Sequence, residues 1–157
     1  MVAPIIVALG GSLLYGDHDV KTWLGQLRQT LVHVEGNGRK IGLVVGGGKP
    51  ARDGINLAKD VVNDRFRLDE IGIAATRLNA TILQKMLQEI GCNVAPTIPE
   101  TTSEAASLFD SFNIIINSIS SINRISASAA SEHQQHQRIS YIHRMGYLPI
   151  YINSGHI

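Results

Sequence analysis

The stretch 40–52, KIGLVVGGGKPAR, decides the fold. A run of apolar, β-branched residues meets three glycines, then a lysine, a proline and an arginine. A short apolar run bounded by turn residues reads as a strand buried on both faces. The glycines turn the chain out of that strand. Pro50 then suits the first turn of a helix, where its missing N–H would have no partner anyway. Strand, glycine turn and helix start in close succession form the unit from which layered α/β sheets are built.

The same grammar extends in both directions. Residues 4–9, PIIVAL, read as another strand buried on both faces, and GGS at 10–12 turns out of it. Val20, Trp23, Leu24, Leu27, Leu31 and Val34 fall at helical spacing, and EGNG at 35–38 stops that helix with residues tolerant of positive φ. The stretch from Asp69 to Ile90 predicts the strongest helix, with Ile71, Ala74, Ala75, Leu78, Ile82, Met86 and Ile90 on one face and Gly91 as the stop. CNVAP at 92–96 reads as a third strand, a short capped helix follows around 103–109, and FNIIIN at 112–117 and YLPIYI at 147–152 read as a fourth and a fifth. No linker interrupts this alternation, so residues 1–157 are expected to form one α/β domain. Within it, 1–110 carry the glycine turns and 111–157 differ in character.

Composition excludes several roles. The chain has 157 residues, 44% hydrophobic and 17% charged, with a net charge of +1. That is a globular balance with no electrostatic footprint for nucleic acid or for a membrane surface. A single cysteine, Cys92, allows no internal disulfide and suits a reducing compartment. The apolar run near the N-terminus lacks a basic flank, and no stretch approaches the roughly 20 apolar residues of a membrane span. A soluble, cytoplasmic protein is expected.

Both glycine turns follow strands, which places them at the carboxyl edge of a parallel sheet, where ligands bind. Glycines expose backbone N–H groups without a Cβ in the way, and a helix N-terminus adds positive potential. Lys49 and Arg52 add a point charge and a planar fork for phosphate oxygens. Two such turns on neighbouring strands could hold two phosphorylated groups close together, as phosphoryl transfer requires. Neither turn fits the P-loop or the dinucleotide pattern, and plain turn geometry also accounts for glycine at such places. Lys59, Arg65, Arg67 and Lys85 read as solvated surface charges. Asp69 reads either as a helix cap or as a substrate contact. Thr76, Arg77 and Asn79 form either a polar cluster near the sheet edge or the wet face of their helix.

Taken in order, ALGGS, VVGGGKPAR and DEIGIAATRLNA closely resemble the archaeal-type uridylate kinases of the amino-acid-kinase family, over about residues 5–108. The resemblance implies a three-layer α/β/α sandwich with a mainly parallel sheet, in a typically hexameric, cytoplasmic enzyme. It implies transfer of the γ-phosphoryl group of ATP, with Mg2+, to UMP, giving UDP for pyrimidine nucleotide synthesis. By the same resemblance Gly10, Gly11 and Ser12 lie at the ATP phosphates, Gly47 and Arg52 on the nucleotide phosphate side, and Gly46 and Asp69 at UMP. Ala8 stands where many members of the wider family carry lysine, a departure that archaeal uridylate kinases share. Isopentenyl phosphate kinases share the glycine turns, but the helix motif is closer to the uridylate enzymes.

After FNIIIN the family pattern continues with a GGT-x-PGHTTD segment and a C-terminal half holding the ATP base site. NSISSINRIS stands in the first place, and the second is not encoded in these 157 residues. Turnover therefore competes with a non-catalytic reading, a phosphate-binding or assembly module. Residues 118–140 carry a signature of their own. One DNA string, ATCAGCAGCATC, reads as Ile-Ser-Ser-Ile (119–122), as Ser-Ala-Ala-Ser (128–131) and, extended, as His-Gln-Gln-His-Gln (133–137) in its three frames. The hypothesis is a tandem repeat read in shifting frames; unrelated codons at these places in the gene would refute it. His133, His136 and His143 are then exposed, repeat-derived residues, not a metal site. A parallel sheet needs both faces covered, so a homo-oligomer is expected.

Overall fold

A computed structural model describes residues 4–118; the fifth strand expected at 147–152, and His133, His136 and His143, lie outside the described residues. Three parallel strands, β1 (Ile5–Leu9), β2 (Ile41–Val45) and β3 (Ile114–Ser118), form a sheet in the order β1-β2-β3. The register pairs Leu9 with Val45 and Val45 with Ser118, so the strands end level with one another. Each glycine turn leaves from that common edge.

The first crossover is α1 (Val20–Gly36), started by Asp19, whose carboxylate accepts from the N–H groups of Lys21 and Thr22. Its spacing holds as expected: Leu24 and Leu31 are buried, and Trp23, Leu27 and Val34 pack against the same core. The second crossover holds α2 (Gly48–Ala58), α3 (Arg65–Glu89) and α4 (Thr102–Ser111). Strand side chains alternate, so Ile41, Leu43, Val45, Ile114 and Ile116 face one side, where they meet Leu24 and Leu31 of α1 and Leu83 and Leu87 of α3. On the opposite side a Cβ at Gly42 would stand 3.5 Å from the Phe109 ring of α4. Lys40, just before β2, also donates to the Phe109 carbonyl. Helices thus cover both faces, giving the three layers expected.

Four expectations need correction. β1 is not buried on both faces: Ile5, Ile6 and Val7 are half-buried and Ala8 is exposed, because β1 has a neighbour on one side only among the described residues. The segment 92–96 contributes a single parallel bridge, Val94 to Ile114, in place of a strand. The long helix starts at Arg65 with Asp64 as its cap, so Asp69 sits inside the helix and caps nothing. The buried face of α3 runs through Ala75, Thr76, Asn79, Ala80, Leu83, Gln84 and Leu87, while Leu78 is 52% exposed. Apolar spacing alone missed that face because three of its members are polar. No helix among the described residues is long and apolar enough to cross a membrane.

Candidate functional site

The two glycine turns touch backbone to backbone. After β1, Gly10 leads into a 3-10 turn, Gly11–Leu14, and Gly11 is buried. A Cβ on Gly11 would stand 2.6 Å from the Gly48 nitrogen and 2.8 Å from the Gly47 carbonyl carbon. Reciprocally, a Cβ on Gly48 would stand 2.7 Å from the Ser12 nitrogen, and its φ of +53° is itself a left-handed conformation that favours glycine. Glycine here serves the close approach of one turn to the other.

Asn79 of α3 holds this junction from beneath. Its Nδ2 donates to the carbonyl of Gly46 at 2.8 Å and to that of Gly47 at 2.9 Å. Its Oδ1 accepts from the Tyr15 hydroxyl at 2.9 Å, and Tyr15 directly follows the 3-10 turn. One fully buried side chain therefore reaches both turns. Thr76, a turn earlier on α3, spends its hydroxyl on the Ile73 carbonyl at 2.7 Å and presents its methyl toward Gly47.

α2 begins at this junction. Gly47 is its cap and offers no side-chain oxygen, so the first N–H groups of the helix lack the acceptor that a serine or aspartate cap would supply. Such a helix start favours an anion. Lys49 is exposed and ion-paired with Asp53 one turn on, while Arg52 is exposed and makes no ion pair among the described residues. Arg52 lies four residues past Gly48, roughly 6 Å along the axis.

The structure therefore brings Gly11, Ser12, Gly46 and Gly47 into one place, with Gly10 exposed at its rim and Arg52 on the next turn. Asp69 stands nearby on α3. The helices α2 and α3 run antiparallel, since Gly47 meets Thr76 while Gly54 meets Ile71. A Cβ at Gly47 would stand 3.6 Å from the Gly72 carbonyl oxygen, and Asp69, three residues before Gly72, lies about one helical turn along α3 from that contact. It is exposed there. Lys59, Arg65, Arg67 and Lys85 are exposed as expected.

Tyr15 carried no signal in the sequence. Asn79 did carry one, as part of the polar group Thr76, Arg77 and Asn79 near the sheet edge. Burial pushes the Cys92 thiol above its ordinary value, which keeps it protonated and packed.

The sequence profile of the Amino acid kinase family matches residues 3–151. Over 112 residues the chain is 38% identical to the uridylate kinase of Thermoplasma volcanium, covering 71% of this chain and 47% of that protein. The crystal structure of uridylate kinase from Archaeoglobus fulgidus superposes with a TM-score of 0.58 at 29% identity, covering 73% of this chain and 50% of that one. Aspartate kinase from Synechocystis superposes with a TM-score of 0.56 at 16% identity, over 74% of this chain and 21% of that one, a likeness of fold alone. The chain spans about half the length of the curated relatives it matches.

Proposed function

The chain belongs to the amino acid kinase family, and from that premise we propose that it is a uridylate-kinase-like protein acting on ATP and UMP. In the reaction a phosphate oxygen of UMP bonds to the γ-phosphorus of ATP. The bond from that phosphorus to the β,γ-bridging oxygen breaks, and UDP and ADP leave. No covalent enzyme intermediate is needed, so the protein contributes position and charge stabilisation.

The observation that carries this reading is the backbone contact between the two glycine turns. Phosphates held on turns this close stand near enough to react. Gly10, Gly11 and Ser12 would line the ATP phosphates, and Gly47 and Arg52 the nucleotide phosphate side. Gly46 would face UMP, and Asp69, about one turn from the Gly47–Gly72 contact, would meet UMP as well. No group of three or more His, Cys, Asp or Glu gathers a metal site among the described residues. Mg2+ would enter on nucleotide phosphate oxygens, where it neutralises charge.

A cytoplasmic place in pyrimidine nucleotide synthesis follows from the same reading, as does self-association. Leu57, Val61 and Phe66 are 86%, 83% and 72% exposed around the junction of α2 and α3, which supports a covered surface there. A clean monomer by light scattering at micromolar concentration would contradict it.

The deciding experiment is a coupled assay for ADP formation from ATP, Mg2+ and UMP, with CMP, AMP and isopentenyl phosphate as alternative acceptors. UMP-dependent turnover that is lost in Arg52→Ala supports the kinase. Folded protein that binds UMP without turnover supports the phosphate-binding module instead.

A further inference from the structure

The Asn79 amide has one workable orientation. Carbonyl oxygens of Gly46 and Gly47 can only accept, so the nitrogen must face them and Oδ1 must face Tyr15. The Tyr15 hydroxyl, donating to Oδ1, is what fixes that orientation from the other side. Without it the buried oxygen loses its donor, and the amide is less firmly held.

The orientation matters because peptide units are planar and trans. A carbonyl pointing at α3 forces the N–H of the following residue to point the opposite way. Asn79 therefore aims the N–H groups of Gly47 and Gly48 away from α3. The other turn packs directly on these peptide units, with Gly11 against both the Gly46 carbonyl oxygen and the Gly48 nitrogen. The planes that Asn79 holds therefore set how the two turns meet and which way the donors beside the first turn of α2 face.

We infer that Tyr15 and Asn79 are positioning residues for anion binding at the joined turns. Tyr15 fixes the Asn79 amide, and Asn79 fixes the peptide planes of Gly46 and Gly47. The donors after β2 thus depend on the seat of the turn after β1. The identity of the anion, a nucleoside monophosphate, rests on the kinase reading; the positioning does not.

The test compares Tyr15→Phe, Asn79→Asp and Arg52→Ala with the wild-type chain. Backbone amide resonances of Gly46, Gly47 and Gly48 in the ligand-free protein report the peptide planes, and titration with UMP reports binding. Tyr15→Phe leaves the buried Asn79 Oδ1 without its donor, so its melting temperature should fall by a few degrees with the fold retained. Its Gly47 and Gly48 resonances should move well beyond those of Gly38 and Gly91, and its Kd for UMP should rise roughly five- to tenfold. Asn79→Asp should lose more, since a carboxylate cannot donate to two carbonyls. Unmoved Gly47 and Gly48 resonances in Tyr15→Phe overturn the inference, as does wild-type affinity in a variant whose resonances have moved. Failure of the wild-type chain to bind UMP, or wild-type binding by Arg52→Ala, counts against the kinase reading. The glycine resonances decide the positioning in either case.

Discussion

A Cβ on Gly11 would stand 2.3 Å from the carbonyl oxygen of Gly46, far inside any van der Waals contact. The obstacle is backbone on both sides, so neither turn can yield by a side-chain rotation. Gly11→Ala should therefore force the turns apart, lower stability by about 2–3 kcal/mol and weaken nucleotide binding. Its neighbour supplies the control. At Gly10 the nearest atom to a Cβ is Ser12 Oγ at 3.5 Å, and the φ of −61° suits any residue. Thermal melts of Gly10→Ala and Gly11→Ala should separate clearly; equal melts would mean that the turns do not touch in solution.

Gly25 calls for the opposite substitution. It lies inside α1 with nothing within 4 Å of its would-be Cβ. Alanine there removes freedom from the unfolded chain and favours the helix, without a clash. Gly25→Ala should stabilise by about 0.5–1 kcal/mol, read as a shift in the urea midpoint at unchanged slope.

The contrast between these glycines shows which features the sequence makes legible. Local patterns read well: the apolar runs of β1 and β2, the turn glycines after them and the spacing of α1 all emerged within a residue or two. Contacts that depend on strand register did not. Gly11 meets Gly46 because Leu9 pairs with Val45, and nothing local to either turn specifies that pairing. The face of α3 was misread for a different reason. Thr76, Asn79 and Gln84 are buried because each has a hydrogen-bond partner, and apolar spacing counts them as solvent-facing. The start of α3 was set late because Arg65 and Arg67 look like a polar connector, although Asp64 before them is a regular cap.

The cap of α1 predicts a pH dependence. The Thr22 hydroxyl, with the N–H groups of Lys21 and Thr22, holds the Asp19 carboxyl below its ordinary value of 3.8. A depressed folded pKa means that the ionised form is favoured in the native state. Its stabilisation is fully present above the unfolded pKa and is lost as pH falls through the folded one. Asp19→Asn keeps an acceptor but cannot titrate. The melting temperature of wild type should exceed that of Asp19→Asn by a constant margin above about pH 5, and the margin should shrink as pH falls below the carboxylate range. A margin independent of pH would show that the ionised carboxylate contributes nothing special.

Gln84 predicts a local weakness at the far side of the sheet. Its buried Nε2 donates to the Ala95 carbonyl at 2.9 Å, and the Ala95 N–H donates to Ile114 of β3 at the same distance. The segment 94–95 is too short to hold itself to the sheet as a strand would, so the glutamine ties it to α3. Gln84→Ala opens a small cavity and strips a buried carbonyl of its donor. The expected cost is about 2–4 kcal/mol, with faster hydrogen exchange concentrated at Ala95. Lys85→Ala, one position along and exposed, should stay within about 0.5 kcal/mol of wild type. If both variants unfold at the same urea concentration, the tie is not what holds this segment, and the Ala95–Ile114 bond alone must suffice.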